Sequence, residues 1–275
     1  MVTCSDAGVV KLELVPSMND YYGGGLNGTI STHLGLLSRL TRLTLMTSVY
    51  GSIPTEIGML SSLVGLTLNN ALTGVIPTEI GGLVSLVDLS LSGNSALSGV
   101  IPTEIGKLVA LTNLVLSNTA ICGTMPTQVG LLQKLDTLHI SQTALSGELP
   151  TELGGLTAAS YVYMYSNRLT GALPSEIGLL HAVMQLFVYN NSSSGTIPTS
   201  IGSLKAMEFF EVQKNRIGGT IPTQLGLVGT QGRNGLLMAD FSDNLLSGPL
   251  PTTAQLALLS TLQHFRIVRC TVCSC

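Results

Sequence analysis

Cys270, Cys273 and Cys275 close the sequence as C-x-x-C-x-C, and His264 stands just before them. Thiols at this spacing could take zinc or cycle between dithiol and disulfide. A closed zinc site needs four ligands in tetrahedral reach. His264 is the one further ligand nearby, and it falls in a segment that reads as a strand. No metal and no cofactor are therefore expected. The chain holds 5 cysteines, so they cannot all pair, and the pairing of Cys4, Cys270, Cys273 and Cys275 is left open by the sequence. Cys122, far from both ends, is expected as a free and partly buried thiol.

Nothing else assembles into a catalytic set. His33, His139, His181 and His264 lie far apart along the chain. No Ser-His-Asp arrangement, carboxylate pair or phosphate-cradling glycine loop emerges, so no enzyme is expected. The net charge of −3 leaves no basic footprint for nucleic acid. Mean hydropathy is +0.46, yet no apolar run approaches the ~18 residues of a membrane span. Only 10% of the residues are charged, fewer than an ordinary globular protein carries.

The excess of apolar residues has a period. Leu111–Lys134 reads LTNLVLSNTAICGTMPTQVGLLQK, and the next 24 residues read LDTLHISQTALSGELPTELGGLTA. Leu111, Leu114, Leu116, Gly123 and Pro126 match Leu135, Leu138, Ile140, Gly147 and Pro150. Prolines at Pro54, Pro77, Pro102, Pro126, Pro150, Pro174, Pro198, Pro222 and Pro251 carry the register along the chain. Self-similarity at a period of this size marks a solenoid, whose coils bury their apolar sides only against one another. In L-x-L, alternate side chains face opposite ways: Leu114 and Leu116 inward, Val115 outward. Asn94, Asn167, Asn191, Asn215 and Asn244 fall where a buried amide can serve the backbone as it leaves the strand, with Thr119 and Thr143 as weaker substitutes. Gly99, Gly123 and Gly147 mark turns that need backbone angles closed to other residues.

The pattern L-x-x-L-x-L-x-x-N-x-L-x-G-x-I-P-x-x-I-G-x-L resembles that of leucine-rich repeats. Its G-x-I-P-x-x-I-G half resembles the plant-type subclass of receptor-kinase ectodomains and polygalacturonase-inhibiting proteins, over nearly the whole chain. The resemblance implies an α/β-type leucine-rich-repeat solenoid of about 10–11 repeats. It would be a right-handed superhelix, with a parallel sheet on the concave face and 3₁₀ or irregular segments on the convex side. It also implies a domain plan: residues 1–9 a partial N-terminal cap, 10–269 the solenoid, 270–275 a cysteine-rich end. Cys4 would be the second cysteine of a cap whose first lies upstream, so the chain is expected to be a fragment. The alternative is a genuine start with a free Cys4. An extracellular or cell-surface ectodomain is implied, with a cytoplasmic solenoid as the alternative. Loops are expected at Pro16–Gly25, with Tyr21 and Tyr22 at the tip, and between Gly226 and Leu236.

Function is sought where the outward strand positions tile one surface. Arg42, Thr44 and Met46, then Gly65, Thr67 and Asn69, then Asp88, Ser90 and Ser92 precede Asn113, Val115 and Ser117, and Thr137, His139 and Ser141. These are mostly small and polar. Then come Tyr161, Tyr163 and Tyr165, Gln185, Phe187 and Tyr189, and Phe209, Glu211 and Gln213. With 7 Tyr, 5 Phe and no Trp in the chain, half of all the aromatic rings fall in three successive repeats, all outward. Rings with polar tips are what binding surfaces use, although cross-strand stacking alone would also account for them. These nine residues form the expected ligand face, for a protein, peptide or glycan, with a co-receptor as a further partner. The alternative is a surface- or ice-binding solenoid using the ladder of Thr55, Thr78, Thr103, Thr127, Thr151, Thr199 and Thr223, with Ser175 filling its gap. The parallel row Glu56, Glu79, Glu104, Glu152 and Glu176 is expected as a solvated outer face.

Overall fold

The computed structural model describes residues 2–5, 8–14, 28–46, 49–69, 71–229, 235–249, 262 and 264–267. The expected loop at Pro16–Gly25, the insertion at Thr230–Asn234, Cys270, Cys273, Cys275 and the side chain of Cys4 lie outside the described residues.

One coil shows how the repeat folds. Leu111, Leu114, Leu116, Ile121, Met125, Val129 and Leu132 are each at most 3% exposed. Burying each such side chain contributes on the order of 2 kcal/mol. Asn113–Val115 forms the strand. The chain then turns through Asn118, whose φ is +56°, and passes a short strand at Cys122–Gly123. Pro126, at φ −69°, leads into a 3₁₀ turn over Thr127–Leu131. Proline fits there because its fixed φ suits the entry and its missing N–H is not needed. The 3₁₀ turns pack coil on coil. A Cβ on Gly106 would lie 2.8 Å from the carbonyl oxygen of Gln128 in the next coil, which is why the position after the apolar residue of each turn is glycine.

Repetition gives a twelve-stranded sheet with its strands in chain order. Val2–Ser5 pairs antiparallel with Gly8–Leu14, and every later strand is parallel to its neighbour. Register is kept to the residue: Leu114, Leu138, Val162, Leu186, Phe210, Ala239 and Phe265 stand opposite one another in turn. That row is the spine of the core. Toward the C-terminal end the core around it becomes aromatic, with Phe241, the next inward residue after Ala239, meeting Phe210 and Phe265 edge to face at 5.5 and 5.8 Å. Smaller parallel sheets run along the flank, the longest through Gly28–Thr29, Val49–Ser52, Ala71–Val75 and Ala96–Ser98. Among the described residues all helical turns are 3₁₀. The result is a right-handed solenoid with the long sheet inside its curve.

The asparagine ladder is present. Asn215 Nδ2 donates to the carbonyls of Val188 and Val212, and its Oδ1 accepts from the Ser193 N–H. Asn94, Asn167, Asn191 and Asn244 repeat this three-way arrangement. Thr119 makes a single bond, to Leu116 O. On the outer wall, Thr55, Thr78, Thr103, Thr151 and Ser175 are exposed. Each donates its hydroxyl to the carboxylate of the glutamate that follows, at 3.0–3.3 Å. One expectation is corrected: Cys122 is exposed rather than partly buried. It faces outward on the flanking strand while Ile121 takes the inward place.

Candidate functional site

The concave face carries a continuous aromatic array. Tyr161, Gln185 and Phe209 stand in one row, and Tyr163, Phe187 and Glu211 in the next. Tyr165, Tyr189 and Gln213 follow the strands in a third. All nine are half-buried, because the inward positions between them, Val162, Met164, Leu186, Val188, Phe210 and Val212, fill the core completely.

Five of the six rings form one connected set. Tyr165 and Tyr189 lie stacked at 4.6 Å with planes 6° apart. Tyr163 meets Phe187 at 5.1 Å, and Phe187 meets Tyr189 at 6.3 Å. Tyr161 joins through Tyr163 at 6.2 Å. No ring contact among the described residues involves Phe209, which flanks the array next to Gln185. The Tyr163 hydroxyl donates to Gln185 Oε1 at 2.6 Å, and Gln213 Nε2 donates to Glu211 Oε2 at 3.0 Å. Polar groups are thus held against ring edges by neighbours on the same sheet.

His139 belongs to this surface and was missed from the sequence as part of it. It stands opposite Tyr163, meets that ring edge-on at 5.2 Å and approaches Tyr165 at 6.0 Å. Its Nε2 shares a hydrogen bond with Ser141 Oγ at 2.7 Å. The signal was available in the period, since His139 is one repeat before Tyr163. Ser117 and Ser141, outward in the alternation, are buried. Small side chains between larger ones on a concave surface are closed off from water. Asp240, also outward, is buried and accepts from the N–H and hydroxyl of Ser242.

Burial lowers the His139 imidazole from its ordinary range, so the ring is held neutral. Burial, then the neighbouring Tyr161 and Tyr165, pushes the Tyr163 phenol up. Tyr189 is pushed up by burial, then by Tyr165 and the Glu211 charge. Both phenols stay protonated and can donate. Among the described residues no group of three His, Cys, Asp or Glu could hold a metal, and no helix is long and apolar enough to cross a membrane. The array presents ring contacts and hydrogen-bonding groups, and the hydroxyl that meets the His139 imidazole, Ser141 Oγ, belongs to a fully buried residue.

The repeat, the ladder and the sheet define the class: the chain is a plant-type leucine-rich-repeat protein. Among solved structures it is similar to the leucine-rich-repeat ectodomain of the plant membrane receptor kinase GASSHO1/SCHENGEN3 from Arabidopsis thaliana, determined in complex with CASPARIAN STRIP INTEGRITY FACTOR 2. The identity is 33% over 95% of this chain and 30% of that one, with a TM-score of 0.86. It is also similar to the plant peptide hormone receptor RGFR1 in complex with RGF2, at 32% identity over 87% of this chain and 42% of that one, TM-score 0.71. The ectodomain of the Arabidopsis receptor kinase HAESA, bound to an IDA peptide hormone, matches at 25% over 94% and 45%, TM-score 0.78. This chain spans 30 to 45% of the length of these three. No protein-family model and no curated protein matches it.

Proposed function

We propose that the chain is a non-catalytic recognition module that binds an extended peptide segment on its concave face. Its contact surface is Tyr161, Tyr163, Tyr165, Gln185, Phe187, Tyr189, Phe209, Glu211 and Gln213. The observation that carries this is the way the rings are used. Tyr165 and Tyr189 spend a face on each other, and Tyr163 packs against Phe187 and His139. Stacking on a sugar needs an open flat face. This array offers ring edges, hydroxyls and, at its Glu211 end, only the outer faces of Phe187 and Tyr189, a mixture that suits peptide side chains and backbone groups. Peptide ligands in the similar receptor ectodomains support the same reading. That similarity also supports an extracellular setting and a co-receptor as second partner, one of those ectodomains being known with the co-receptor SERK1. Residues 1–9 would belong to an N-terminal cap, and the antiparallel pairing of Val2–Ser5 with Gly8–Leu14, unlike the parallel pairing of the later strands, supports this.

The threonine ladder supports a lattice-binding role less well, because the hydroxyl hydrogens of Thr55, Thr78, Thr103 and Thr151 go to adjacent carboxylates and those of Thr127 and Thr223 to adjacent amide oxygens. The test is a displayed random peptide library panned against the chain and against Tyr163→Ala and Tyr189→Ala. Binders to the wild type that lose about tenfold or more on either variant, with the fold intact, are expected, as hot-spot truncation costs about 2 kcal/mol or more. Binders indifferent to both variants would place recognition elsewhere.

A further inference from the structure

The aromatic array ends on a carboxylate. On the side of Phe187 and Tyr189 away from Tyr163 and Tyr165, the next strand supplies no ring in the same rows. Glu211 stands directly opposite Phe187, and its charge reaches the Tyr189 phenol. The outer faces of these two rings are therefore the ones left unstacked, and they border a carboxylate. Gln213 Nε2 holds Glu211 in place at 3.0 Å, while Gln213 Oε1 is an enclosed acceptor with no partner among the described residues. Asp240 stands opposite Glu211 on the far side, so two carboxylates occupy neighbouring places, an arrangement that repels on a sheet unless a cation offsets it.

Among the described residues no cation forms an ion pair with Glu211. Their ion pairs are Lys11–Glu13 and Arg42–Asp88, both toward the N-terminal end. Arg266 stands one strand further on, opposite Asp240 rather than Glu211, and is exposed. Open ring faces beside an unpaired carboxylate match one chemistry. A guanidinium or ammonium can lie over a ring face while donating to the acid.

On the basis of the peptide reading above, we propose that this end of the array is a subsite for a basic side chain, arginine or lysine, of the peptide ligand. Phe187 and Tyr189 form its wall and Glu211 its anchor. Gln213 is a positioning residue that orients the carboxylate.

The experiment pans a random twelve-residue peptide library against the full chain, Glu211→Gln and the double variant Tyr165→Ala/Tyr189→Ala. Enriched peptides are then resynthesised with citrulline in place of arginine. The expected result is binders sharing an arginine or lysine, lost on the double variant. They should weaken roughly tenfold on Glu211→Gln or on citrulline exchange. The two losses should not add, and affinity should fall with salt. Ring-dependent binders without a basic residue, or binding unchanged by Glu211→Gln and by citrulline, overturn the subsite and leave the peptide reading standing. An absence of ring-dependent binders overturns both. The citrulline exchange decides on the wild-type protein alone should Glu211→Gln fail to fold.

Discussion

The ring of Tyr165 lies flat on that of Tyr189 with centroids 4.6 Å apart and planes within 6°. The two residues are one repeat apart, so the stack bridges adjacent coils on the concave face. A stack of this kind contributes to stability whatever ligand the face takes, and a double-mutant cycle measures that contribution. Each alanine substitution should lower stability modestly, with a coupling of about 1 kcal/mol between them. Chemical denaturation of the four proteins measures it. A coupling near zero would mean the rings are held by their own strands alone and are free to turn toward a ligand.

Glycine should stabilise the turn that follows each concave strand. Asn118, Gln142, Ser166, Asn190, Lys214 and Asp243 all have φ between +52° and +56°, and Gly93 fills the equivalent place at +78°. Left-handed backbone costs a residue with a Cβ about 1–2 kcal/mol. Lys214→Gly and Ser166→Gly are therefore expected to raise stability by about 1 kcal/mol each, net of the chain entropy glycine brings. Asn118→Gly should gain less, since asparagine visits this region readily. Thermal midpoints compared across the three variants give the answer, and a fall in midpoint for Lys214→Gly would contradict the strain.

That strained position shows where the sequence stops being legible. The period, the inward leucines and the asparagine slot could be read because each demands a residue type: apolar in Leu114, amide in Asn215. The left-handed position holds Asn118, Asn190, Asp243 and Gly93, which favour it, but also Gln142, Ser166 and Lys214, so composition marks it only in part. The nine concave residues were legible from alternation alone. His139 was not grouped with them, because its partners Tyr163 and Tyr165 lie on the next strand and register had to be followed across coils. Cys122 reads as partly buried from its Ser/Thr-type position beside the turn glycine Gly123, whereas alternation on the flanking strand turns it outward and Ile121 inward.

The asparagine ladder should show a graded cost. Asn215→Ala strands the carbonyls of Val188 and Val212 and the Ser193 N–H in a buried place. Unsatisfied groups of this kind cost about 1–3 kcal/mol each, so a loss of about 3 kcal/mol or more is expected. Thr119→Ala gives up only the bond to Leu116 O, and about 1 kcal/mol should follow. Urea unfolding of both variants tests the ranking, and equal losses would show that the amide's second and third bonds contribute nothing.

His139 makes the concave face sensitive to acid. Burial lowers its imidazole from the ordinary value of 6.5, so the unfolded chain binds a proton more readily than the folded one. The sign follows: this contribution is present in full above pH 6.5, and it is lost as pH falls from there through the lower folded value. Protonation would also place a charge against the Tyr163 edge at 5.2 Å and make the ring a donor on both nitrogens, so that Ser141 Oγ would have to accept rather than donate. His139→Gln keeps a polar group and removes the titration. Wild type is expected to lose more thermal stability than His139→Gln between pH 7.5 and 5, while carboxylates elsewhere act on both alike. Parallel pH profiles for the two proteins would mean that the folded imidazole accepts its proton as freely as the unfolded one.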